Sequence, residues 1–238
     1  MIDLTLAPGM LRPGLRVYAI GDVHGCLDRL VTLHWAIAAD LAARPVAESV
    51  LIHLGDYVDR GADSAGVIWL LTGAIVPQVT RRVDLMGNHE QMMIDALSGD
   101  SLRTAESWLD NGGATTLDSY KVPPGAQILD WAQAVPLAHL QWMKTRTLMH
   151  VEGGYLFTHA GIRPGRPIKK QRKEDLLWIR EPFLSSTATH PLIVVHGHTP
   201  RTKPDVQANR IGIDTGAVMG GTLTCVVLED DTIGFLTA

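Results

Sequence analysis

Apolar residues in this chain fall into short runs closed by glycine, and each run is followed by a longer stretch with helical spacing. The runs RVYAI (16–20), SVLIHL (49–54) and RRVDLM (81–86) are largely β-branched or apolar and read as strands. After the first, Leu27, Leu30, Leu33, Ile37 and Leu41 recur at helical intervals with Pro45 beyond, which predicts a helix across 26–45. A second helix is predicted over 62–75, stopped near Pro77, and a third over 88–99. This β-α-β-α-β-α order implies a parallel sheet with helices packed outside it. The pattern changes after residue 100. Helical spacing over 101–120 is broken at Asn111-Gly112-Gly113, KVPPGA (121–126) forms a turn, and two short helices fit 126–146. Residues from approximately 100 to 146 therefore read as a small inserted helical cap. Strands resume at 147–152 and 155–160, with Gly153-Gly154 as a hairpin turn, and continue at 192–197, 210–216, 222–229 and 232–238. These hairpin signals predict a more antiparallel second half. With no repeat or interdomain linker, the expectation is one α/β domain over 1–238.

Composition supports a folded core and narrows the partners. Hydrophobic residues make up 46% of the 238 and charged residues 19%, which suits a packed interior rather than extended disorder. A net charge of −4 is small and of the wrong sign for a nucleic-acid or membrane-surface binder. Cys26 and Cys225 have neither metal-type spacing nor a disulfide framework and are expected in the core, which points to a reducing cytoplasm. The first residues lack a basic start followed by an apolar core, and no apolar run reaches membrane-spanning length.

Chemistry concentrates just past the strand ends, in GDVHG (21–25), GDYVDRG (55–61) and GNHE (87–90). The carboxyl edge of parallel strands is where open α/β folds keep their active sites. Asp22 and His24 stand two apart, so at an extended strand end a carboxylate and an imidazole can grip one cation. Asp56 has two oxygens able to bridge two cations, and Asn88 offers an amide oxygen. His159 in THAG and His198 in HGHT each follow a β-rich run and add imidazole nitrogens. The shell is mixed nitrogen and oxygen without thiolate, suited to manganese, iron or zinc. Two such cations would activate water and clamp phosphate oxygens. Singly, each motif has a structural reading: a satisfied turn histidine, a loop ion pair at Asp56, Asp59 and Arg60, or a helix cap at Asn88. Their joint occurrence, in order and after strands, favours the metal site.

GDVHG, GDYVDRG, GNHE, THAG and HGHT in this order resemble the metal-dependent phosphoprotein phosphatase family of the calcineurin-like metallophosphoesterases. The likeness spans roughly 15–230 and is nearest in length to the bacterial and bacteriophage-lambda type. It implies a central β-sandwich of mixed sheets flanked by helices. It also implies two divalent metal ions, Mn2+ foremost with Fe or Zn as alternatives. Asp22, His24 and Asp56 would hold one ion, and Asp56, Asn88, His159 and His198 the other. By the same resemblance His89 is the general acid and pairs with Asp59, a partner expected to raise its pKa. Arg60 and Asn88 would contact the phosphate, joined by Arg180 in LLWIREPF unless that arginine pairs with Glu181. Glu90 would support the His89 loop, and His196 would sit behind the ligands. His34, His53, His139, His150 and His190 are expected to be structural, and the tryptophans to pack in the core or cap. The basic run 166–173 could flank the cleft or be a solvated loop.

The function implied is hydrolysis of phosphate monoesters, foremost phosphoserine and phosphothreonine in proteins, by direct attack of a hydroxide bridging the metals. The alternative is a dinucleoside polyphosphate hydrolase, because the symmetrical diadenosine tetraphosphatases are similar as well. Those enzymes usually carry alanine at the Asp59 position and GNHD in place of GNHE, which favours a phosphorylated protein or small phosphorylated substrate. A non-catalytic scaffold is the third reading. It would be expected to lack a ligand or the proton donor, and none is missing here.

Overall fold

The glycine-closed apolar runs all form strands. The computed structural model describes residues 2–73, 77–99 and 101–238. The end of the second predicted helix (74–75) and the first cap residue (100) lie outside the described residues. β1 (Thr5–Leu6) and β2 (Leu15–Ile20) lead into α1 (Leu27–Ala43), β3 (Glu48–His53), α2 (Ser64–Thr72), β4 (Arg81–Asp84) and α3 (Asn88–Leu97). Four helices follow: α4 (Leu102–Trp108), α5 (Ala114–Ser119), α6 (Ile128–Ala134) and α7 (Leu137–Lys144). The chain then forms β5 (Met149–Glu152), β6 (Tyr155–Thr158), α8 (Lys173–Trp178) and β7 (Ile193–His196). It ends with β8 (Asp205–Val206), β9 (Arg210–Gly212), β10 (Thr224–Glu229) and β11 (Thr232–Thr237).

Two mixed sheets pack as a sandwich flanked by helices. The first runs β1-β11-β10-β2-β3-β4, with β2, β3 and β4 parallel and β10 antiparallel to both β2 and β11. The second runs β5-β6-β7-β9-β8. Its edges are antiparallel pairs, the expected β5–β6 hairpin and an unforeseen β8–β9 pair, but the central strands β6, β7 and β9 are parallel. With β10–β11 antiparallel as well, the second half is more antiparallel than the first, as expected, around a parallel centre that the hairpin signals did not announce. The connection from β6 to β7 is a long crossover carrying the six-residue α8, too short a helix to announce itself by periodicity.

Alternation along the strands sorts the core into layers. Val17, Ala19, Val50, Ile52, Val226 and Leu228 face Tyr155, Phe157, Val195 and Ile211 between the sheets. Tyr18, Ile20, Leu51 and Val227 face the helices, where Leu30, Ile37, Val67 and Met93 share one cluster with Trp108, Leu117, Trp131 and Met143. The helices of 102–144 therefore lie in the same apolar layer as α1–α3. Beyond the second sheet, Leu156 and Val194 pack on Leu176, Ile179 and Phe183. Strands buried on both faces read as near-continuous apolar runs, which is why 15–20 and 49–53 were so legible. Among the described residues no helix is long and apolar enough to cross a membrane.

Candidate metal centre and active site

Six parallel strands, three from each sheet, end at one place. β2 delivers Asp22 and His24, β3 delivers Asp56, Asp59 and Arg60, and β4 delivers Asn88 and His89. From the second sheet β6 delivers His159, β7 delivers His198 and β9 delivers Asp214. The loops take conformations that L-residues seldom adopt: His24, Asp56, Asp59, Arg60 and His198 have φ of +44°, +53°, +74°, +69° and +65°. Backbone strain of this kind clusters at functional sites. Gly55, at φ +101°, lets the Asp56 loop lie directly against the Gly87 backbone, where a β-carbon would collide. Glu90, fully buried, ties the two loops together. Its carboxylate accepts from the backbone N–H of Asp56 (2.9 Å), Tyr57 (2.7 Å), Val58 (3.2 Å) and Gly87 (2.9 Å).

Asp56 stands at the centre, with one oxygen toward each of two groups. Its Oδ2 is 3.4 Å from His24 Nε2 and 3.9 Å from His89 Nε2, while Oδ1 is 3.3 Å from His159 Nε2. Asn88 Oδ1 lies 2.7 Å from His159 Nε2 and 3.0 Å from His198 Nδ1. Two clusters of metal-binding type result, His24–Asp56–His89 and Asp56–His159–His198. Asp22, expected beside His24 and Asp56, is in neither cluster, where His89 stands instead; its carboxylate accepts from His198 N at 3.0–3.1 Å. Second hydrogen bonds fix the ring orientations: His24 Nδ1 is 2.8 Å from the Val58 carbonyl and His159 Nδ1 is 3.0 Å from that of Leu54. Each therefore keeps Nε2 for the site, an arrangement common to metal-ligating histidines.

The electrostatics fit cations. Burial, then Asp214 and Asp56, raises the Asp22 pKa, and burial followed by Glu90 raises that of Asp56. Burial lowers His24 and His159 and brings His198 down to about 3, so these imidazoles are neutral and free to ligate. Buried carboxylates packed this closely need positive charge. Arg60 supplies some: its Nη1 lies 2.9 Å from His24 Nε2, against the lone pair a metal would use.

Asp59 and His89 form a pair, with Nδ1 and Oδ2 2.7 Å apart. The expected rise of the His89 pKa is not found. Burial, reinforced by Arg60, brings His89 down to about 3, while burial lifts Asp59 to about 7.

Arg180 is exposed and its side chain makes no hydrogen bond or ion pair among the described residues, and Glu181 accepts from Ser185 instead. Next to it, Trp178 meets the His198 ring edge-on at 6.1 Å. The basic run divides in two. Arg166, with Arg163 ahead of the run, closes on Asp175 at 2.5 and 2.8 Å. Lys169, Lys170 and Arg172 are exposed. Arg163, Arg166, Arg172, Trp178 and Arg180, with three acidic residues, line a cleft of about 460 Å³.

Sequence reasoning missed Asp214, although it follows the same rule of a carboxylate just past an apolar run. His196 packs on Phe183 (5.1 Å) with Nδ1 3.0 Å from the Gly197 carbonyl. Trp35 and Trp69 are exposed rather than packed, because they lie on the outer sides of α1 and α2. Cys225 is buried and Cys26 half-buried.

Fold and site together define a metallophosphoesterase: a sandwich whose converging strand ends carry two groups of nitrogen and oxygen donors around one shared carboxylate. The chain belongs to the calcineurin-like phosphoesterase family, whose pattern matches residues 15–222. It is 32% identical over 223 residues to serine/threonine-protein phosphatase 1 of Salmonella typhimurium, covering 90% of this chain and 92% of that protein. It is 28% identical over 225 residues to the asymmetrical bis(5'-nucleosyl)-tetraphosphatase PrpE of Bacillus subtilis, covering 86% and 87%. Among solved structures, a candidate diadenosine tetraphosphatase matches with a TM-score of 0.66 at 22% identity, covering 96% of this chain and 97% of that one. A cold-active protein tyrosine phosphatase matches at 0.60 and 19%, covering 92% and 77%. Both share the fold.

Proposed function

We propose that this hydrolase cleaves phosphate monoesters, with phosphoserine and phosphothreonine in proteins as its substrates. The observation that carries this reading is the Asp59–His89 pair. A hydrogen bond of 2.7 Å holds Nδ1, and Nε2 is left 3.9 Å from Asp56 Oδ2, beside the pocket where a phosphate would react. A seryl or threonyl alkoxide is a poor leaving group, and a positioned imidazole is the group that would protonate it. A phosphate dianion placed against His89 favours the protonated ring.

Asp22, His24 and Asp56 would hold one divalent ion, and Asp56, Asn88, His159 and His198 the other. The donor set suits manganese first, with iron or zinc as alternatives. When bound, these ions supply an activated water and neutralise phosphate oxygens. The chain's own groups orient the substrate. The Arg60 guanidinium offers a planar fork to two phosphate oxygens, the Asn88 amide reaches another, and Arg180 approaches from the rim.

Similarity to the asymmetrical tetraphosphatases supports a second reading, hydrolysis of dinucleoside polyphosphates. The two readings separate on kcat/KM for a phosphoseryl peptide and for diadenosine tetraphosphate under the same manganese and salt conditions. The peptide is expected to be preferred. A tenfold preference for the dinucleotide, about 1.4 kcal/mol in transition-state stabilisation, would reverse the choice.

A further inference from the structure

Segment 102–119 reaches into the site from the side. α4 ends in Trp108, whose ring is fully buried, and the chain kinks across Leu109–Gly113 before α5 begins. Gly112 sits inside this kink at φ +104°, and a β-carbon there would come within 2.8 Å of Arg60 Cγ. Its carbonyl accepts from Arg60 N at 3.2 Å.

The kink brings two donors, one from each side of the break, onto a single acceptor. Trp108 Nε1 donates to Asp59 and lies 3.0 Å from both Oδ1 and Oδ2. The Thr116 hydroxyl lies 2.7 Å from Oδ1, and it also accepts from Asp59 N at 2.9 Å. With Oδ2 engaged by His89 Nδ1, the carboxylate is gripped on every side that carries a lone pair. Asp59 is fully buried, so no water competes for those bonds.

We propose that Trp108 and Thr116 are positioning residues for proton delivery. They lock the Asp59 carboxylate in the rotamer that holds His89 with Nδ1 toward Asp59 and Nε2 toward the Asp56 pocket. This rests on the reading of His89 as the proton donor to the leaving oxygen. On that footing the helical segment is part of the acid, not only a wall beside it. Loss of either donor frees the carboxylate to rotate and lets the imidazole drift, while the donor clusters around Asp56 stay as they are. The damage should therefore fall on esters whose leaving oxygen needs a proton.

The test compares Trp108→Phe, Thr116→Val, Thr116→Ser and His89→Asn on a phosphoseryl peptide and on p-nitrophenyl phosphate. Metal content and thermal midpoint are measured for each variant. Trp108→Phe and Thr116→Val are expected to lower kcat on the peptide about tenfold or more, with KM within about twofold and the aryl ester slowed less than about threefold. Thr116→Ser, which keeps the hydroxyl, should restore most of the peptide rate. Equal losses on both substrates, or no loss on the peptide, alongside a selective loss in His89→Asn would overturn the positioning role and leave His89 in place. A non-selective loss in His89→Asn would remove the acid itself, and this inference with it.

Discussion

Arg60 combines a left-handed backbone, φ +69°, with an exposed side chain that, in the proposed reading, reaches the phosphate. Asp, Asn and His tolerate this region better than most residues, which eases the cost at His24, Asp56, Asp59 and His198. Arginine has no such allowance, so its strain, about 1–2 kcal/mol, is tolerated for its guanidinium. Arg60→Ala and Arg60→Gly both remove that group, yet glycine alone also relieves the backbone. The glycine variant should therefore be the more stable of the two by about 1 kcal/mol, a rise in thermal midpoint of roughly 2–4 °C for a chain of this size. Equal midpoints, or a higher one for alanine, would show that the loop is not strained at this residue. Both variants should lose phosphate affinity alike.

Three elements, α1, β3 and β4, are joined behind the site by a buried polar chain. His34 Nε2 lies 3.0 Å from His53 Nε2, His53 Nδ1 lies 2.8 Å from Asp84 Oδ1, and Arg82 Nε is 3.0 Å from Asp84 Oδ2. Burial, then His53, brings His34 down to about 3 from 6.5, so it folds as the neutral ring. With the folded value below the unfolded one, the unfolded chain binds the extra proton. The stability due to neutral His34 is complete above about pH 6.5 and is lost as pH falls toward 3, at up to about 1.4 kcal/mol per unit. Relative to His34→Gln, the wild type should lose stability progressively between pH 6.5 and 4 in urea titrations. A gap between the two that does not change with pH would show that His34 titrates normally in the fold. The same elements show what could be read from sequence. Strands β2 and β3 and helix α1 were legible because burial on both faces, or on one helical stripe, writes itself into local periodicity. The grouping of Asp22, His24, Asp56 and Asn88 was legible because strand-end position is local too. The parallel order of β6, β7 and β9 was not, since it depends on a crossover whose helix has six residues. Nor was the grip of Trp108 on Asp59, 49 residues away, because packing rather than spacing creates it.

On the scale of the whole molecule, the donor groups belong to neither sheet alone. Asp56 and Asn88 come from the first and His159 and His198 from the second, and they meet only when the sandwich has closed. An unfolded chain offers these ligands scattered over more than 170 positions, with no means of presenting them together. A divalent ion should accordingly behave as a ligand of the native state only, and mass action then turns its concentration into stability. At a free concentration 100 times its Kd, one ion would add about 2.7 kcal/mol, roughly 5–10 °C in thermal midpoint for a chain of this size. Manganese added to stripped protein should raise the midpoint on this scale and a chelator should lower it, both followed by calorimetry. Asp56→Asn should show little of the rise, having weakened both positions at once. A midpoint indifferent to manganese in the wild type would mean that the six strand ends do not bind it. If they do, the supply of a trace metal decides how much of this protein survives unfolding and proteolysis, quite apart from how fast each surviving copy turns over.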